Sequence, residues 1–251
     1  MKGKTMRMHK EGGPVHVGLI MDGNGRWAQR QKMPRAQGHL EGAKALERVV
    51  KAAPDLGIRE LSAYVFSTEN WTRPASEVEH IMGMFLQYLR KFGPEAARNG
   101  VRVRIIGNRD DDRISPVMRR AMNKVEQLTV HGDVLTLNLA FNYGGDSDFV
   151  RGVQGLTEAV MRGELPREEI TAEAVRRYSY SGDVRDMDLL IRTGGELRFS
   201  NFLPWQVRYA ELYFTDVCWP EFSGAHLQAA VEEFKNRHRT FGAVVELAEA
   251  S

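Results

Sequence analysis

The chain has 251 residues, 42% hydrophobic and 27% charged, which is enough apolar content for one core beneath several helices. Its 35 Lys and Arg against 33 Asp and Glu leave a net charge of +2, so charge alone does not mark a nucleic-acid binder. A single cysteine, Cys218, excludes an intrachain disulfide framework and a cysteine-based zinc site, and fits a reducing cytoplasm.

The opening stretch MKGKTMRMHKEGG is basic without an apolar core, and no run of about 18 apolar residues occurs anywhere. A flexible basic tail is expected over residues 1–14 of a soluble chain. Short apolar runs then alternate with segments of helical period, the pattern of an α/β protein with a largely parallel sheet. Strands are expected at Val15–Met21, Glu60–Phe66, Val101–Ile106, Val134–Phe141, Met187–Arg192 and Leu212–Phe214. Helices are expected at Leu40–Leu56, Ser76–Lys91, Pro116–Leu128, Phe149–Arg162, Ala172–Tyr178 and Ala225–Arg239. No linker or repeat interrupts the alternation, so one domain is expected over 15–242 and a C-terminal tail over 243–251. The helix carrying Val78, Ile81, Met82, Met84, Phe85, Leu86, Tyr88 and Leu89 is apolar on too many sides for a surface helix. It reads either as a helix buried in the core or at a dimer contact, or as the wall of an apolar ligand cavity.

The segment HVGLIMDGNGRWA reads as strand, glycine turn and helix start, with Gly23 and Gly25 freeing backbone N–H groups for an anion. Gly23, Gly25 and Ala28 also fit a dinucleotide-binding turn. Against that reading, Asp22 would repel a pyrophosphate unless a divalent cation lay between them. The second strand also ends in Phe66-Ser67-Thr68-Glu69, roughly twenty residues too late for a ribose-binding acid. Asp22, Gly23, Asn24, Gly25 and Arg26 together supply a metal ligand, an amide, two permissive glycines and a cation. Arg35 and His39 share a face if they open the next helix, although His39 could equally cap it. Arg30 reads as solvated.

After the second strand, FSTENWTRP brings Ser67, Asn70 and Arg73 to the carboxyl edge of the sheet, where ligands of open α/β sheets bind; each also suits an ordinary turn. The run Asp110-Asp111-Asp112 lacks the later aspartate of a DDxxD motif and reads as a solvated turn capping the next helix. A third cluster, LLIRTGGELRFSNFLPWQ, gathers Arg192, Arg198 and Ser200 round Gly194-Gly195 as a second anion site. Glu211 opens the last strand and could share a metal with Asp22 only if the sheet joins those ends.

With these clusters in this order, the chain resembles the undecaprenyl diphosphate synthase family of cis-prenyltransferases from Val15 to Gly242. The resemblance rests on HVGLIMDGNGRWA, RAQGH, FSTENWTRP, LNLAFNYGG, DLLIRTGGELRFSNFLPWQ and AELYFTDVCWPEF. It implies a six-stranded, mostly parallel sheet surrounded by helices, a homodimer and an elongated apolar tunnel. It also implies Mg²⁺-dependent condensation of isopentenyl diphosphate with an allylic diphosphate, farnesyl diphosphate foremost. By position, Asp22 resembles the essential acid that ligates Mg²⁺, while Gly23, Asn24, Gly25, Arg26, Arg35 and His39 resemble the allylic diphosphate site. Trp27 is similar to a substrate-contacting tryptophan. Ser67, Thr68, Glu69, Asn70, Trp71 and Arg73 resemble a loop that closes over both substrates, with Asn70 at the position assigned to proton removal. An amide is a poor base, so Asn70 is expected to orient a diphosphate or water while a diphosphate oxygen or Asp22 takes the proton. Arg192, Arg198, Phe199 and Ser200 resemble the isopentenyl diphosphate site. Glu211 resembles a second metal ligand, within the chain or across the dimer.

Val65, Asp146 and Phe199 depart from the usual family pattern, and the bulk of Val65 in place of alanine would narrow the tunnel. The expected product is undecaprenyl diphosphate, the lipid-carrier precursor of peptidoglycan, with a shorter cis-prenyl diphosphate as the alternative. A non-catalytic partner subunit is the more distant alternative, and retention of Asp22, Arg26, Arg192, Arg198 and Glu211 argues against it. No nucleic-acid partner is expected, and membrane contact is expected to be at most peripheral, through the product.

Overall fold

Apolar runs covered on both faces build a parallel sheet, because crossover helices pack against each side of it. The computed structural model describes residues 13–237. The tail expected over 1–14 lies outside these residues up to position 12, and the tail expected over 243–251 lies outside them entirely. Among the described residues six strands form one sheet: β1 (His16–Ile20), β2 (Glu60–Ser67), β3 (Val101–Ile106), β4 (Leu135–Tyr143), β5 (Leu189–Arg192) and β6 (Glu211–Phe214). Their order is β3-β4-β2-β1-β5-β6 and every pairing is parallel. The expected strands are all present, and the sheet is more uniformly parallel than the sequence implied.

The helices are α1 (Asn24–Arg30), α2 (Arg35–Ala52), α3 (Ala75–Arg98), α4 (Pro116–Thr129), α5 (Gly145–Met161), α6 (Ala172–Arg177), α7 (Pro204–Val207) and α8 (Gly224–Lys235). Alternation along the strands divides the core. Val17, Leu19, Leu61, Ala63, Leu137 and Leu139 face one layer with α2, α3, α4 and α8, whereas Ile20, Leu190 and Ala140 face Met187, Phe202, Leu203 and Val207. α4 is capped by Ser115, whose hydroxyl accepts the Met118 N–H at 3.2 Å, and not by the aspartate run before it. Asp111 in that run is held by Arg113 at 2.6 Å and accepts from Asn142 at 3.2 Å.

A polar chain crosses the sheet between His16, Ser62, Asn138 and Glu60. His16 Nδ1 lies 2.9 Å from the Arg185 carbonyl, which can only accept, so Nδ1 carries the proton and Nε2 accepts from the Ser62 hydroxyl at 2.8 Å. Asn138 donates to Ser62 Oγ at 3.0 Å and to Glu60 at 2.8 Å. Burial lowers the His16 pKa below 6.5, and nearby Glu60 opposes this only in part. The unfolded chain therefore takes up a proton that the folded chain resists, so this contribution is full above pH 6.5 and lost as pH falls towards the depressed folded value. The urea midpoint should fall between pH 7 and about pH 5, and His16→Gln should flatten that part of the profile. An unchanged slope in the variant would remove His16 as the cause.

Candidate active site

Register sets the site. Ile20 pairs with Arg192, so the turn after β1 lies beside the turn after β5 at the carboxyl edge of the sheet. Gly23 there has φ +100°, and a side chain would meet Cys218 Sγ at 2.8 Å, so only glycine fits. α1 then opens at Asn24 without a side-chain cap, leaving first-turn N–H groups for an anion. Asn24 itself is partly committed to the fold: its amide donates to the Met21 carbonyl at 3.0 Å, and the side chain lies against Gly42 of α2.

Asp22 holds the two turns together. Its carboxylate accepts from Gly23 N–H at 2.6 Å, meets Arg26 at 3.0 Å and accepts from Arg192 at 3.0 Å. Burial raises its pKa, but the hydrogen bonds from Arg192 and Arg26 outweigh burial and hold the carboxyl below its ordinary value. Arg26 also donates to the Gly194 carbonyl, and Thr193 Oγ1 donates to the Asp22 carbonyl at 2.7 Å. The Arg192 side chain is 5% exposed and also donates to the Arg198 carbonyl at 2.5 Å and Ser200 Oγ at 2.7 Å. Ser200, Asn201 and Leu203 have φ of 47°, 60° and 46°, a strained run of non-glycine residues of the kind found at binding loops.

The second loop is a 3-10 turn over Thr68–Thr72 between β2 and α3. Asn70 Oδ1 accepts from Ser67 N–H at 3.1 Å while Ser67 caps the turn in return, so that amide oxygen is occupied. Arg73 reaches Glu77, in the first turn of α3, at 3.1 Å, and the same carboxylate oxygen lies 3.7 Å from Arg35 and 3.8 Å from His39. Burial pushes His39 down to about 4, Arg73 and Arg35 add to this, and Glu77 opposes it, so the ring is neutral at pH 7. Trp71 donates to Asn142 Oδ1 at 2.8 Å and packs edge-on against Phe66 beneath Arg113. Thr68 lies against Gly144.

These turns open onto a cavity of about 620 Å³. Asp22, Asn24, His39, Ser67, Glu69, Asn70, Arg73, Arg192 and Ser200 contribute to its lining, and Leu46, Val65, Ile81, Met84, Phe85 and Tyr88 give it apolar walls. α3 contributes to both core and cavity: Val78, Ile81, Phe85, Leu89 and Phe92 form one buried stripe, and Ile81 and Phe85 of that stripe, with Met84 and Tyr88 beside it, line the cavity. A register irregularity between Tyr64 and Ser67 breaks the alternation of β2, and consecutive residues including Val65 face the cavity.

Gly23, Gly25, Arg26, Trp27, Arg35, Thr68, Trp71, Arg198 and Phe199 are not among the residues lining the cavity. Arg198 is 61% exposed and meets Glu196 at 2.5 Å, and Phe199 is exposed. The sheet sets Glu211 apart from the other candidates, and of the two arrangements left open it does not support the one within a single chain. Glu211 opens β6 opposite Leu189, itself opposite Val17, so it lies at the amino edge and roughly 16 Å along the strands from Asp22. It pairs with Arg237 at 3.1 Å, and the two acids of one chain do not share a metal. Glu77 and Asn201 were missed. The four-residue spacing of Arg73 and Glu77 at a helix start was the available signal for the first.

Among the described residues, no three His, Cys, Asp or Glu side chains converge as a metal cage. The ionised Asp22 carboxylate at a cationic cavity mouth fits Mg²⁺, which commonly takes one or two carboxylates and fills its other positions with phosphate and water oxygens.

Residues 20–242 match the family model described as "Putative undecaprenyl diphosphate synthase". The isoprenyl transferase of Streptococcus pneumoniae is 44% identical over 235 residues, 92% of each chain. Lavandulyl diphosphate synthase from Lavandula x intermedia, solved in complex with dimethylallyl diphosphate, aligns with a TM-score of 0.86 at 29% identity, over 92% of this chain and 98% of that one. A "probable undecaprenyl diphosphate synthase" from Campylobacter jejuni aligns with a TM-score of 0.75 at 31% identity, over 94% and 100%.

Proposed function

Because the chain belongs to the undecaprenyl diphosphate synthase family of prenyltransferases, we propose that it condenses isopentenyl diphosphate with an allylic diphosphate, farnesyl diphosphate foremost, into a long cis-polyprenyl diphosphate. The observation that carries this reading is Asp22 held between Arg26 and Arg192 at the mouth of an apolar-walled cavity. Gly23 to Arg26, Arg35 and His39 take the allylic diphosphate, with Trp27 against the substrate. Arg192, Arg198 and Ser200 take isopentenyl diphosphate beside Phe199, and the turn from Ser67 to Arg73 covers both. Mg²⁺ held by Asp22 would supply neutralising charge for the leaving diphosphate. Asp22, held ionised by two arginines, is a weak base, which favours a diphosphate oxygen as the proton acceptor. Asn70 orients rather than abstracts, because its amide oxygen is bonded within the turn.

The growing chain extends along Leu46, Ile81, Met84 and Tyr88 as a tunnel towards undecaprenyl length. Val65 in that wall supports a second reading, a shorter product. A homodimer fits the terminal place of β6 in the sheet and the exposed apolar side chains Phe149, Val150, Val153 and Leu212. Glu211 then acts across that dimer. Among the described residues no helix is long and apolar enough to cross a membrane, consistent with peripheral contact through the product. In this reading the protein works in the cytoplasm, supplying a peptidoglycan lipid carrier.

Excess chelator should reduce transfer of label from isopentenyl diphosphate to farnesyl diphosphate to background, and added Mg²⁺ should restore it; transfer that ignores the chelator would contradict the metal role. Arg198→Ala should raise KM for isopentenyl diphosphate about tenfold or more and leave the allylic KM nearly unchanged. Equal weakening of both would show that the two diphosphate sites are wrongly divided.

A further inference from the structure

We propose that Glu77 is an internal competitor of the allylic diphosphate: its carboxylate holds Arg35 and Arg73 beside His39 and must release them to the incoming anion. This inference rests on the function proposed above. One carboxylate oxygen faces three groups from two parts of the chain, Arg73 of the second loop at 3.1 Å and Arg35 and His39 of α2 at 3.7 and 3.8 Å. These are groups assigned to substrate anions. The Glu77 side chain is 19% exposed, so its charge is only partly screened by water. It also occupies the first turn of α3, where the helix favours a negative charge. The Arg35 guanidinium meanwhile lies over Gly25, 3.0 Å from where a side chain would begin, so the triad adjoins the glycine turn.

Asp22 provides a contrast. Its partners Arg26 and Arg192 also bond the carbonyls of Gly194 and Arg198 and the hydroxyl of Ser200, so they are fixed without it. Among the described residues, Glu77 is the acid paired with both Arg35 and Arg73. His39 Nε2 is buried with no hydrogen-bond partner, a polar atom that a phosphate oxygen would satisfy if the proton sits there. A diphosphate carries more charge than one carboxylate, so it wins the arginines, yet its net affinity is reduced by the ion pairs it breaks. The same carboxylate recaptures the arginines as the diphosphate leaves.

Titration of inorganic diphosphate with Mg²⁺ into the protein, followed by calorimetry, tests this directly. Glu77→Gln keeps the side-chain shape and should bind about fivefold more tightly, the factor that about 1 kcal/mol of lost competition produces. Glu77→Asp, which keeps the charge, should stay near the wild-type affinity. KM for the allylic diphosphate should fall in Glu77→Gln while that for isopentenyl diphosphate stays the same, a split that general loosening of the fold would not produce. In an Arg73→Ala background the Glu77→Gln gain should shrink, because one of the contested cations is gone. Unchanged or weaker binding by Glu77→Gln, with normal binding by the wild type, overturns the inference and leaves the proposed function standing. A wild-type protein that binds no diphosphate overturns both.

Discussion

Asp22→Ala should lower turnover by on the order of a thousandfold or more while the chain still folds. In the proposed reaction this carboxylate, at the cavity mouth, holds Mg²⁺, and its two arginines keep it ionised. The substitution also has a structural cost. Asp22 neutralises an arginine that is 5% exposed. Arg192 keeps its bonds to the Arg198 carbonyl and Ser200, so the loss should be held to about 1–2 kcal/mol. Label transfer measured beside a urea melt separates the two effects. A folded Asp22→Ala protein with full turnover would remove Asp22 from the chemistry.

Arg192→Ala should cost about 2–3 kcal/mol of stability and nearly all condensation activity. One guanidinium bonds Asp22, the Arg198 carbonyl and Ser200 at once, joining β5 to the first glycine turn and the strained loop after it. The stability loss lies below that of a fully buried ion pair, because Asp22 is 31% exposed and retains Arg26. Arg192→Lys should not rescue activity, since a point charge cannot span three acceptors that a planar fork reaches. Wild-type stability and kinetics in Arg192→Lys would show that charge alone suffices.

The strands were legible because apolar runs bounded by glycine and proline leave little choice, and most helices followed from their period. α3 runs past its expected end at Lys91 and through Pro94, because buried Phe92 and Ala96 hold its last turns against the core. α2 begins five residues before the expected Leu40, placing Arg35 and His39 on one helix, as their spacing had suggested. α7, four residues long, is too short to show a period. The turns at the carboxyl edge were readable as clusters of glycine and arginine, whereas the Asp22–Arg192 contact depended on strand register, which composition does not encode. The placement of Glu211 shows the same limit. Its position at a strand start was clear, but in an all-parallel sheet the first residue of one strand and the turn after another lie at opposite edges.

The central claim is cis-condensation at the Asp22–Arg192 mouth, and the most direct measurement resolves what the purified chain makes. Farnesyl diphosphate and labelled isopentenyl diphosphate would be incubated with Mg²⁺, and the dephosphorylated products separated by chain length and double-bond geometry. New cis double bonds in a series reaching undecaprenol are the expected result, and a series that stops after a few cis additions would keep the reaction and assign the length to the Val65-narrowed cavity. Products with new trans double bonds, or no label leaving isopentenyl diphosphate, would contradict the account.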